Sequence, residues 1–134
     1  GAQGVAIRSG RACFKYGLRE FVPNSGSADL EFRLLPLNYK IRQGADLLAE
    51  LFNSYSDQQV RVEDKEDHLL WHIQRCPICW QRRADHPACY LIVGTLQEAL
   101  FWLSGGKYFV VEEILCIAKG DPTCTFRIDK TPLE

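Results

Sequence analysis

Apolar positions recur along this chain with two different periods, and the changes of period mark its elements. From Val5 to Phe21 the large apolar residues Phe14, Leu18 and Phe21 fall at helical spacing. Pro23-Asn24-Ser25-Gly26 supplies the stop, and residues 24–29 read as a polar loop. A second helix is predicted from Asn38 to Tyr55, because Ile41, Ala45, Leu48, Phe52 and Tyr55 step by four and three and make one stripe.

The period then drops to two. Val60 and Val62 alternate with Arg61 and Glu63 between Gln58 and Lys65, and Leu69, Trp71 and Ile73 share a face between His68 and Gln74. With the charged turn Asp64-Lys65-Glu66-Asp67 between them, these stretches predict an antiparallel hairpin. A third helix is expected to start near Asp85-His86-Pro87, with Asp85 as N-cap and Pro87 in the first turn. Ile92, Leu96, Leu100 and Leu103 form its buried stripe, and Ser104-Gly105-Gly106 ends it. Tyr108 to Ala118 is β-prone, Lys119-Gly120-Asp121-Pro122 is a turn, and Thr123 to Ile128 is the last strand. The fold class is therefore α+β: an antiparallel sheet of about four strands packed against three main helices, in one domain over residues 1–134.

Composition narrows the function. The 134 residues suffice for one core, and 46% hydrophobic with 25% charged residues is ordinary for a globular chain. A formal net charge of -1 argues against nucleic acid and against an anionic membrane surface. No apolar run approaches the ~20 residues of a membrane-spanning helix. Gly1-Ala2-Gln3-Gly4 lacks the basic start of a signal peptide, so a cytoplasmic chain is expected. The absence of Met suggests a chain cut from a longer one.

Six cysteines in such a setting point to a metal site or reactive thiols rather than a disulfide framework. If the last turn is centred on Gly120, Cys116 faces Cys124, with Cβ atoms roughly 4.5–5.5 Å apart. Two thiolates so placed can share one tetrahedral zinc, with Zn–S bonds of about 2.3 Å, or form a disulfide after a small adjustment. Cys89 adds a third thiol in the first turn of the third helix, where the helix dipole favours a thiolate. Glu113 stands three residues before Cys116, so in a regular strand the two point to opposite faces; Glu112 has the better parity. Cys76 and Cys79 have the two-residue spacing of zinc knuckles and redox motifs. They could complete a site with Cys116 and Cys124, displacing Cys89 and Glu113, or act as a redox dithiol. Cys13 has no partner pattern and reads as a small buried hydrophobe.

The stretches Pro87-Ala88-Cys89-Tyr90 through Gly94, Val110-Val111-Glu112-Glu113-Ile114-Leu115-Cys116 and Gly120-Asp121-Pro122-Thr123-Cys124-Thr125-Phe126 resemble the core of the 4-vinyl reductase domain family. That family includes the N-terminal sensor domains of phenol- and xylene-responsive transcription activators. The resemblance is specific over residues 87–128 and loose over the first two helices. It implies a zinc bound by Cys89, Glu113, Cys116 and Cys124 beside a pocket for an aromatic ligand, and a local bulge that brings Glu113 round to Cys116. Cys76 and Cys79 are extra to the sensor pattern. The Trp that holds the phenol hydroxyl in those sensors has no match in Val62-Glu63-Asp64-Lys65, so phenol sensing does not carry over.

Three functions follow as expectations. The first is a zinc-containing domain that binds, senses or carries a hydrophobic small molecule, with Phe14, Phe52, Trp71, Trp102 and Phe109 as speculative pocket residues. The family name suggests a tetrapyrrole as one ligand class, and His68, His72 and His86 could serve a porphyrin metal. The second is a structural or assembly module making protein–protein contacts; a homodimer through the N-terminal helix fits either reading. The third, an accessory enzyme in bacteriochlorophyll or chlorophyll vinyl reduction, is disfavoured: the chain has no nucleotide fingerprint or flavin signature, and a zinc with four protein ligands leaves no open position for water.

Overall fold

The computed structural model describes residues 1–20 and 34–133. It consists of helix α1 (Ala2–Tyr16), helix α2 (Leu37–Tyr55), strands β1 (Val60–Asp64) and β2 (His68–Ile73), a 3₁₀ turn (Pro77–Cys79), helix α3 (Tyr90–Leu103), strand β3 (Val111–Leu115), a further 3₁₀ turn (Ile117–Lys119) and strand β4 (Cys124–Asp129). The four strands form one antiparallel sheet in the order β1-β2-β4-β3. This is the α+β architecture expected from the sequence.

α1 ends earlier than the apolar pattern predicts. The Gly17 N–H bonds to the Cys13 carbonyl, and a 3₁₀ turn follows over residues 18–20. Phe21 and the predicted Pro23–Gly26 stop lie outside the described residues, as does the 24–29 loop. Cys13 is exposed on α1, not buried as expected. α2 buries Ile41, Gly44, Ala45, Leu48 and Ala49, but its stripe fades at the end: Phe52 is half-buried and Tyr55 is 76% exposed. Asn53 then ties the helix to β1, because its amide both donates to the Val60 carbonyl and accepts the Val60 N–H.

α3 is buried nearly all round. Besides the predicted stripe it encloses Val93, Gly94, Thr95 and Ala99, because α1, α2 and β3 all pack against it. Its crossing with α1 is backbone on backbone. A Cβ on Gly10 would lie 1.9 Å from the Leu91 carbonyl oxygen, and one on Gly94 would lie 2.0 Å from that of Ile7. No side chain fits at either position, which explains both glycines. Thr95 Oγ1 donates into the same crossing, to the carbonyls of Gly10 and Leu91.

One face of the sheet carries Leu69, Trp71, Ile73, Phe126 and Ile128, all buried in the core shared with the helices. The other face is polar. There His72 Nδ1 pairs with Thr125 Oγ1 at 2.8 Å and Nε2 with Glu63 Oε1 at 2.6 Å.

Candidate metal centre

α3 does not begin at Asp85. Asp85 is exposed and pairs with His86; the residue preceding the first helical turn is Cys89, whose carbonyl accepts the N–H groups of Ile92 and Val93. This local start places the Cys89 thiol at the inner end of the helix, fully buried.

Cys116 and Cys124 are presented by the final hairpin, and both are also fully buried. Gly120 makes its turn with φ of 108°, a conformation that glycine alone adopts without strain. The Asp121 carboxylate accepts the Cys116 N–H at 2.9 Å, and Cys124 Sγ accepts the Ile117 N–H at 3.3 Å. Residues 117–119 are a 3₁₀ turn rather than a continuation of the strand, so β3 is shorter than predicted.

The parity problem at Glu113 is resolved by an irregularity. Glu113 pairs with Phe126, but the next pair is Leu115 with Thr125, so the β3 strand carries one extra residue between them. Glu113 faces inward in regular alternation with Val111, the bulge after it brings Cys116 round to the same side, and Glu112 stays exposed. Glu113 is 9% exposed, and its Oε1 accepts the Cys89 N–H at 2.9 Å. Its Oε2 is buried with no hydrogen-bond partner. The ligand atoms of Cys89, Glu113, Cys116 and Cys124 all lie within 4.8 Å of one another.

The Cys76-x-x-Cys79 loop joins the same cluster, and it does so without displacing Cys89. Cys76, Cys79, Cys89 and Cys124 form a second set within 4.8 Å. Cys79 Sγ lies 3.1 Å from Cys89, 3.4 Å from Cys124 and 3.6 Å from Cys116; Cys76 lies 3.5 Å from Cys89, and Cys89 lies 3.7 Å from Cys124. Five thiols and one carboxylate thus converge where α3, the β3–β4 hairpin and the loop after β2 meet. Four buried cysteines this close can hold a metal ion.

The electrostatics fit a cation. Burial pushes the Glu113 carboxyl and the Cys79 thiol above their ordinary ranges. Cys76 is held down to about 3 by hydrogen bonds from Cys124 and Cys89, whose own thiols are pushed up in consequence. A buried carboxylate oxygen with no donor is where a positive charge belongs.

The expected aromatic pocket residues divide between groove and core. Phe14 and Trp102 contact each other at 6.2 Å and, with Phe101, line an open groove of about 350 Å³ whose rim carries Lys15, Arg19 and Glu98. Phe52 and Trp71 meet edge to face at 6.0 Å, with Trp71 fully buried, and Phe109 is buried as well. A larger groove, about 730 Å³, opens elsewhere, against Cys76, Cys79, Arg75, Trp80 and Ile117. His68 and His86 pair with the neighbouring Asp67 and Asp85, and His72 belongs to the polar face of the sheet. The Glu63–His72–Thr125 chain was not signalled in the sequence, since its members come from three strands.

No family model matches the chain. It is 30% identical over 66 residues to an uncharacterized protein of Methanocaldococcus jannaschii, a match spanning 49% of this chain and 36% of that relative's length. The fold is similar to that of a vinyl-4-reductase family protein from the same organism, with a TM-score of 0.55 and 18% identity over 90% of this chain and 80% of that one. The phenol-responsive sensory domain of the transcription activator PoxR, solved with phenol, also aligns, with a TM-score of 0.44 and 16% identity over 96% of this chain and 74% of that one. The resemblance read from residues 87–128 thus holds in the fold: the chain has the architecture of a vinyl-4-reductase family protein.

Proposed function

We propose that this chain is a zinc-containing domain that binds a hydrophobic small molecule for sensing or carriage. The convergence of Cys89, Cys116 and Cys124 with a fourth donor, from Glu113 or from the Cys76–Cys79 loop, carries the reading. Thiolate-rich tetrahedral sets select zinc among abundant divalent metals, by softness and geometry. Zinc bound there would supply a closed structural tie between α3, the last hairpin and the loop after β2, with no chemistry of its own. This favours a binding role over turnover.

The groove over Phe14, Phe101 and Trp102 supports the small-molecule part. Its floor is aromatic and its rim bears Lys15, Arg19 and Glu98, which suits a flat apolar body with a polar edge that meets two cations and one carboxylate. A tetrapyrrole has that chemistry, and the vinyl-4-reductase name of the similar structure agrees with it. A second reading, an assembly module, draws support from Trp80, which is 75% exposed beside the larger groove.

Metal content and absorbance of freshly purified protein test both parts together. One zinc per chain with a coloured or extractable apolar molecule supports the sensor or carrier. One zinc with no small molecule, but a stoichiometric protein partner lost in Trp80→Ala, favours assembly. Absence of any metal overturns the zinc reading.

A further inference from the structure

The three buried thiols Cys89, Cys116 and Cys124 have two neighbours able to complete a tetrahedron, and these are not equivalent. Glu113 Oε1 is already engaged by the Cys89 N–H at 2.9 Å. Cys79 Sγ takes a backbone hydrogen bond from Ala118, which leaves a thiolate further lone pairs for a metal. Its sulfur sits over the face of the thiol triangle, 3.1, 3.6 and 3.4 Å from Cys89, Cys116 and Cys124 respectively. Sulfurs sharing a tetrahedral zinc at bonds of about 2.3 Å are separated by about 3.8 Å, the edge of that tetrahedron. The observed spacings need to open only slightly to reach it. Cys79 is also the thiol that belongs with Cys89 and Cys124 in the alternative set containing Cys76. Cys76 and Cys79 both border the surface groove, with 6% and 4% exposure, but Cys79 is the one of the two set 3.6 Å from Cys116.

We infer that Cys79 is the resident fourth ligand, giving an all-thiolate centre of Cys79, Cys89, Cys116 and Cys124. Glu113 serves as a positioning residue for Cys89 and as the reserve donor. This rests on the metal reading above and goes beyond it, since it assigns the fourth position to a loop outside the Cys89–Glu113–Cys116–Cys124 set. The orphan Oε2 of Glu113, buried beside the same thiols, is the atom that takes the fourth position when Cys79 is withdrawn. The loop holding Cys79 is walled on its outer side by the 730 Å³ groove with Arg75 and Trp80. Cys76 and Cys79 thus present the loop side of the candidate centre to that groove.

The test uses the full chain loaded with cobalt(II) as a spectroscopic substitute for zinc, together with X-ray absorption at the zinc edge. Wild type is expected to show four sulfur neighbours at about 2.3 Å and no oxygen at about 2.0–2.2 Å. Cys79→Ser should still bind one metal per chain while its sulfur-to-cobalt charge-transfer band loses the share of one thiolate in four. Glu113→Gln and Cys76→Ser should keep the wild-type band. Three sulfurs and one oxygen in the wild-type zinc spectrum overturn the inference without need of any variant. So does an unchanged band in Cys79→Ser, or a thiolate share lost in Cys76→Ser. If wild type binds neither zinc nor cobalt, the metal reading fails first and takes this inference with it.

Discussion

Glu113 Oε1 accepts the backbone N–H of Cys89 at 2.9 Å, so a carboxylate from the bulged strand caps the start of α3. A strand residue does here what the Glu of a capping box does from within a helix, accepting the N–H of the N-cap residue, and it ties the helix to the sheet in doing so. Glu113→Ala leaves a buried N–H without an acceptor and should cost about 1–3 kcal/mol. Glu113→Gln keeps an acceptor oxygen and should cost less. Urea unfolding of both variants in the presence of a chelator separates this contact from any metal effect; equal losses would show that the hydrogen bond is not the source.

Removing the metal should be the most damaging change. Structural zinc contributes an apparent ~10–16 kcal/mol in small zinc-binding peptides, more than the ~5–15 kcal/mol stability of a typical domain. Cys124 belongs to every candidate ligand set. Cys124→Ser is expected to melt at the temperature of chelator-treated wild type and to be indifferent to added chelator. A variant that melts like untreated wild type would contradict a structural metal.

The glycine crossing sets a different limit. Gly94→Ala or Gly10→Ala forces a methyl group to within about 2 Å of a backbone carbonyl oxygen, so α1 must move off α3. Overpacking of this kind costs about 1–3 kcal/mol, and contact with backbone, which cannot rotate away, puts these sites at the upper end. Differential scanning calorimetry of the two variants should show lowered melting temperatures with metal content unchanged.

Acid should weaken the polar face of the sheet. Hydrogen bonds from Lys65 and His72, with Arg61, hold the Glu63 carboxyl at about 2, below its ordinary 4.5. A carboxyl lowered on folding adds stability that is fully present above pH 4.5 and is lost as pH falls through about 2. In Glu63→Gln, stability should vary less with pH over that interval, as read from unfolding midpoints at a series of acid pH values. A profile as steep as wild type would assign the acid response to other carboxyls.

Much of this molecule was legible in its sequence because period and packing agree. Val60 and Val62, then Leu69, Trp71 and Ile73, alternate as a sheet face requires. The α2 stripe of Ile41, Ala45 and Leu48 is buried as its spacing says. The failures have physical causes. Asp85 looks like an N-cap, yet a capping carboxylate from 24 residues away lets the helix start later, at Tyr90. Tyr55 continues the α2 period past the point where the core ends. Of the candidate centre, turn symmetry suggested only that Cys116 faces Cys124, and the joining of Cys89 to them was implied by the family resemblance. The bulge at Glu113 was not readable from spacing, since strand parity argues against it. Cys79 was readable as an alternative partner of Cys116 and Cys124 from its Cys-x-x-Cys spacing, but its approach to Cys89 as well depends on where the loop after β2 folds back.

The strand order makes one segment answer for two structures. β4 lies between β2 and β3, so without it the β1–β2 hairpin and β3 share no strand pairing. The same strand carries Cys124, which belongs to both thiol-containing sets. A chain cut before residue 124 would therefore lose the middle of its sheet and a corner of its thiol cluster together.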